Sequence, residues 1–255
     1  MRFRCAFKKR HAVAALGFLM GVVTNLCISR AVAGPPFVTD DPQPTDYRNW
    51  EIYSGFEYEN DRGGGVFAAA PFAEFNYGAM PNIQVSTSLP LDDDYTDTGH
   101  RYSYGGTEFG IKARFVQESD NRPQISFYPS VQIPAGCCDR VLTFLPIWLQ
   151  KSSGPWTAFG GGGLYINTGM GKRDYTFVGS AVERAISPGT TLGIELFHQG
   201  PDMIGGIGTT GTNIGVTTQL GAHHALLFSF GRSLSGNTSF SGYASYEFAL
   251  GPLKR

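Results

Sequence analysis

The chain has 255 residues, with 34 glycines, 13% aromatic and 16% charged residues, and a formal net charge of −1. Charge this sparse excludes a disordered chain and a coiled coil, and beyond the N-terminus no apolar run approaches the eighteen or so residues of a membrane-spanning helix. Abundant glycine beside abundant aromatics points instead to β-structure with close backbone approaches.

In chain order, Met1 to His11 is basic, Ala12 to Ile28 is apolar, and Ala31-Val32-Ala33 has the small-x-small form of a cleavage site, so residues 1–33 read as a secretory signal peptide. They hold six basic side chains (Arg2, Arg4, Lys8, Lys9, Arg10 and Arg30) and no acidic one. The mature chain from Gly34 keeps 14 basic and 21 acidic residues, a net charge of −7, which argues against nucleic acid as a partner. Cys27 lacks the small residue that a lipoprotein site needs before its cysteine, so no lipid anchor is expected. Cys5 and Cys27 leave with the signal; the adjacent Cys137 and Cys138 that remain cannot staple a small scaffold. As neighbours on an extended chain they point apart, leaving a strained vicinal disulfide, two thiols or an intermolecular bond all open.

Residues 34–48 hold four prolines and three aspartates and cannot enter a sheet interior. They form a leader that either dangles or folds back as a plug, with Phe37 and Val38 offering an anchor.

From Asn49 to residue 251 the dominant signal is period-two alternation in runs of about ten residues. Trp50, Ile52, Phe56 and Tyr58 share one face, and Glu51, Tyr53, Gly55, Glu57 and Glu59 the other. Ile83, Val85, Thr87 and Leu89 alternate with Gln84, Ser86 and Ser88, and Phe109, Ile111, Ala113 and Phe115 with Glu108, Gly110, Lys112 and Arg114. Similar runs at 124–133, 214–220 and 240–250, with weaker ones at 67–77, 141–150, 156–167, 174–185, 191–198 and 225–233, give about twelve strands. The run 141–150 fits worst, since Phe144 and Trp148 lie opposite Leu145, Ile147 and Leu149. Pro71, Pro129 and Pro146 fall inside strands and predict bulges. Residues 92–102 and 200–211 read as long loops on odd-numbered links. Residues 252–255 are a short tail.

Alternation alone does not say which face points inward. A closed sheet of twelve strands is wider than side chains can fill, so the bulky face belongs outside in lipid and the Gly/Ser/Glu face around a wet lumen. Closure also satisfies every backbone donor and acceptor, which hydrocarbon requires. The fold class expected is therefore all-β: a transmembrane up-and-down antiparallel barrel of about 12 strands. The lumen-lining candidates are Glu51, Glu57, Glu74, Glu108, Lys112, Arg114, Glu195 and Glu247, either setting selectivity or filling the lumen as a salt-bridge ladder.

No catalytic or cofactor motif is present: there is no Gly-x-Ser-x-Gly elbow, no His-Glu-x-x-His and no Walker sequence. His198 with Asp202, near a loop base, is the nearest approach to a rim hydrolase. Asp92, Asp93 and Asp94, with Asp97, lack EF-hand spacing and read as a solvated acidic loop. Gly160 to Gly163 reads as small residues on a curved strand rather than a phosphate cradle.

Several segments resemble a known family: GPPFVTDDPQP (34–44), FNYGAMPNIQV (75–85), GGTEFGIKARFVQE (105–118), LPIWLQKSSGPWTAFGGGGLYIN (145–167), ELFHQ (195–199) and HHALLFSFGRSL (223–234). Together they are similar to the outer-membrane proteins grouped as the meta-pathway of phenol degradation family. The resemblance implies a barrel regarded as a transporter, sometimes encoded near aromatic catabolism, with no binding residues to carry over. The chain departs from it at Cys137-Cys138 and in ending on Gly-Pro-Leu-Lys-Arg, where barrel proteins commonly finish on an aromatic.

The expectation is an exported protein of a Gram-negative outer membrane that passes small solutes, aromatic ones among them, without cofactor or metal. Its partners would be outer-membrane lipids, the small-molecule solute and the outer-membrane assembly machinery. The competing readings are a structural or adhesive barrel with a blocked lumen and, behind it, the rim hydrolase.

Overall fold

The computed structural model describes residues 36–62, 66–96, 99–136, 140–236 and 238–251. The expected signal peptide (1–33), Cys137 and Cys138, Asp97 and the tail 252–255 lie outside the described residues.

Among the described residues, fourteen β-strands form one antiparallel sheet. They are β1 (Trp50–Asp61), β2 (Val66–Met80), β3 (Ile83–Thr96), β4 (Gly99–Tyr104), β5 (Thr107–Val116), β6 (Gln124–Phe127) and β7 (Ser130–Ile133). There follow β8 (Leu142–Ser153), β9 (Trp156–Asn167), β10 (Tyr175–Ser187), β11 (Thr190–Gln199), β12 (Thr209–Gln219), β13 (His224–Ser235) and β14 (Thr238–Leu250). β4 and β5 both pair with β3, β4 with its far half and β5 with its near half, so together they make one stave. β6 and β7 likewise lie end to end between β5 and β8. The sheet thus has twelve staves, and the pairing of β1 with β14, from Trp50↔Leu250 to Asp61↔Thr238, closes it into a barrel.

The barrel is apolar on the outside. On β11, Leu192, Ile194 and Leu196 are exposed while Glu195 between them is buried, and on β5 Phe109, Ile111 and Phe115 are exposed while Lys112 is buried. In a soluble β-protein these faces would be reversed. Aromatics gather at the ends of the outer face. Trp50 and Tyr77 rings lie 4.6 Å apart, Arg184 covers Trp156, and His224 stacks on Phe248 near the same rim. Tyr58 meets Phe240 near the other.

The strand prolines have distinct effects. Pro71 falls in a register shift of β2 against both neighbours. Pro129 falls in the gap between the end of β6 and the start of β7. Pro146 produces no shift against β9. Its carbonyl accepts the Tyr128 N–H at 3.2 Å, so its missing donor falls on the same side, where the neighbouring stave is already interrupted at Tyr128-Pro129. Two lost donors thus coincide at one break in the wall.

Besides the bulge expected at Pro146, two expectations need correction. Residues 92–102 are not a loop: β3 runs through Asp92, Asp93 and Asp94 and pairs with β4 from Leu91↔Tyr104 to Thr96↔Gly99, extending the wall as a hairpin. The inner face is also not uniformly small and polar. Trp148 (2% exposed), Phe159, Phe177 and Phe72 are buried inside, and Phe144 and Phe197 join the same inner layer, with Phe144 and Phe197 each about 6 Å from Phe177. That places the run 141–150 in register: Phe144 and Trp148 point inward while Leu145, Ile147 and Leu149 point outward.

Candidate functional site: the lumen and the strap that crosses it

Residues 36–46 run inside the barrel and cross it from the wall of β10 to β12 to the wall of β1 to β5. The composition explains how an unpaired segment survives there. Prolines at 36, 42 and 44 carry no N–H to satisfy, and the donors of Val38, Thr39, Asp41, Gln43 and Thr45 all find side-chain acceptors.

At the first wall the Phe37 ring lies on two inward glycines that are cross-strand neighbours, Gly193 and Gly215. A Cβ on Gly193 would sit 2.9 Å from the ring, and one on Gly215 2.7 Å from it. Thr39 is seated against Gly179 in the same way. The Glu195 carboxylate (1% exposed) accepts the backbone N–H of Val38 at 3.3 Å, the N–H of Thr39 at 2.5 Å and Asn213 Nδ2 at 2.6 Å. These N–H donors offset part of the cost of taking the carboxylate out of water.

Towards the second wall the Asp40 carboxylate pairs with Lys112 Nζ at 2.8 Å, and that ammonium lies 4.9 Å from the centre of the Tyr128 ring. Gln43 accepts from Arg114 at 2.7 Å. Thr45 donates its N–H to Gln84 Oε1 at 2.7 Å and its hydroxyl to Glu51 at 2.8 Å. Gln84 donates on to Asn76, and Asn76 to Glu74. The strap leaves past Gly78, where the Asp46 carbonyl occupies the space of a side chain and Arg48 N–H bonds the Gly78 carbonyl.

Asp41 is the strap's buried acid. Burial pushes its carboxyl up to about 6, with Lys112 pulling the other way and Asp40 adding to the rise.

Beside the strap lies a cavity of about 560 Å³. Its acidic lining comes from Asp40 and Asp41 of the strap, Glu51 and Glu57 of β1, Glu74 of β2, Asp92 of β3 and Glu108 of β5. Lys112 is its one basic residue among those described. Tyr53, Phe72, Tyr128, Leu227 and Tyr243 supply apolar surface. On the β8 to β11 side the bore is filled instead, by Trp148, Phe159 and Phe177 packed with Phe37; the Phe37 and Phe159 rings are 6.4 Å apart. Trp148 fits there because its partner is Gly161, where a Cβ would lie 3.0 Å from the indole.

Of the residues singled out from sequence, Glu51, Glu57, Glu74, Glu108 and Lys112 border the cavity. Glu195 and Arg114 instead hold the strap, and Glu247 is buried inside the wall opposite Tyr53. His198 is on the outer face, where its Nδ1 meets Thr210 Oγ1 at 2.9 Å, while Asp202 pairs with Lys172 at 3.0 Å. Among the described residues no group of His, Cys, Asp and Glu is arranged to hold a metal. Gln84, Asn213, Gly193 and Gly215 were not singled out, although Gly179, Gly193 and Gly215 at inward positions of consecutive strands are the trace of something packed closely against them.

No family model and no curated protein matches the sequence. Among solved structures the chain is similar to the COG4313 outer membrane channel from Pseudomonas putida F1, with a TM-score of 0.62 and 14% identity, covering 82% of this chain and 97% of that one. It is also similar to the translocator domain of the autotransporter NalP from Neisseria meningitidis, with a TM-score of 0.52 and 11% identity, covering 80% of this chain and 89% of that one. The fold is that of outer-membrane β-barrels.

Proposed function

We propose that the protein is an outer-membrane channel through which small solutes, aromatic ones among them, diffuse passively along the acidic side of the lumen, past the strap. The observation that carries this reading is the inverted barrel: an apolar belt outside and a charged cavity of about 560 Å³ within. The structural similarity to an outer membrane channel supports it, and the sequence resemblance to the phenol-degradation family supports aromatic solutes. Passive diffusion needs no cofactor; the strap narrows the path, and the acidic lining sets which solutes enter.

A second reading, a structural barrel with a blocked lumen, is favoured by the packing of Phe37 against the inner aromatics. Planar-bilayer recordings of the mature chain, with and without residues 34–48, separate the two. Stepwise current in the intact chain supports the channel. Silence in both forms overturns it, and current only after deletion supports the blocked barrel.

A further inference from the structure

The cavity combines surplus acid with aromatic rings. Tyr53, Phe72 and Leu227, with Tyr243 packed against them, form a patch on the wall of β1, β2, β13 and β14, and the Phe72 and Tyr243 rings are 5.7 Å apart. Glu57 and Glu74 border the same space. An anion entering such a space meets repulsion, and a neutral solute leaves the field of the carboxylates unused. An ammonium beside a ring uses both, since the ring face is negative and the carboxylate supplies the countercharge.

The chain already holds one ammonium in this manner. Lys112 Nζ is fixed between the Asp40 carboxylate at 2.8 Å and the face of Tyr128 at 4.9 Å. It is 5% exposed and taken up by that pairing, so the field left for a solute is that of the remaining carboxylates. A space of about 560 Å³ suits a ligand with one ring and a short substituent.

We propose that this cavity binds small organic cations that carry an ammonium group on a short substituent of an aromatic ring, with Glu57 and Glu74 as countercharges and Tyr53, Phe72 and Tyr243 as ring contacts. The proposal deepens the channel reading and rests on it for the route by which the solute arrives.

The test uses the mature chain folded in detergent and titrated calorimetrically with benzyltrimethylammonium, benzoate and benzyl alcohol at equal ionic strength. The cation is expected to bind at least tenfold more tightly than the other two. The E57Q/E74Q variant is expected to lose that preference, with folding verified by heat-modifiable migration. The F72L/Y243L variant, which keeps every charge, is expected to bind the cation at least fivefold more weakly and serves where the first does not fold. Comparable affinity for benzoate, or undiminished cation binding in either folded variant, overturns the proposal. Binding without bilayer current defeats the channel reading alone, and current without binding defeats the site alone.

Discussion

The carboxylate of Glu195, midway along β11, accepts the backbone N–H of Thr39 at 2.5 Å, across 156 residues of sequence. This contact ties the leader to the inside of the wall, and it uses backbone donors, so it does not depend on the side chains at 38 and 39. Replacing Glu195 with Ala leaves the N–H groups of Val38 and Thr39 without their acceptor, at a cost of about 3 kcal/mol in strap docking. Hydrogen exchange of the 36–48 peptide, followed by mass spectrometry, is expected to accelerate about a hundredfold while the strand peptides stay protected. Unchanged exchange would show that Glu195 does not hold the strap.

Gly215 offers the same test without altering charge. A Val there meets the Phe37 ring and Pro36, since even a Cβ would lie 2.7 Å from one and 2.9 Å from the other. Gly215→Val is expected to raise single-channel conductance to that of the chain lacking residues 34–48, with the barrel still heat-modifiable.

Asp41 makes docking depend on pH. Its carboxyl, raised from 3.8 to about 6 by burial, binds protons more readily in the docked strap than in a solvated one. Docking is therefore favoured by acid and weakens as pH rises from about 4 to about 6, above which the penalty is constant. Lys112, Asp40, Glu51 and Glu183 face Asp41 from the surrounding elements. The loss across that window is about 3 kcal/mol. Conductance is expected to be greater at pH 7 than at pH 4.5, and Asp41→Asn is expected to flatten the difference.

The two faces of the wall should tolerate charge differently. Ile194 is exposed midway along β11, on the face that an outer-membrane barrel turns to the acyl chains. Ile194→Arg is expected to cost about 2–4 kcal/mol in urea-titrated folding into lipid vesicles. Gln132→Arg, on the cavity side, is expected to cost little and to reduce the preference for cations. Equal penalties for both would contradict the assignment of faces.

Much of the wall was legible in the sequence, because a strand's side chains alternate by geometry. Ile83, Val85, Thr87 and Leu89 could be separated from Gln84, Ser86 and Ser88 with no knowledge of their partners. The acidic hairpin was not: Asp92 to Asp94 have the composition of a loop, and pairing with β4 makes them strand. Phe144 and Trp148 resisted assignment because size alone does not code for inside or outside, and their inward setting depends on glycine at Gly161 of the next strand.

By itself the sequence determined the twelve staves, their closure and the apolar exterior, since these follow from local periodicity and from the need to pair every backbone group. The course of the leader was decided only in three dimensions. Thr39 meets Glu195, and Asp40 meets Lys112, because closure of the sheet brings distant walls around the same narrow bore. Local patterning carries no record of what lies across that space.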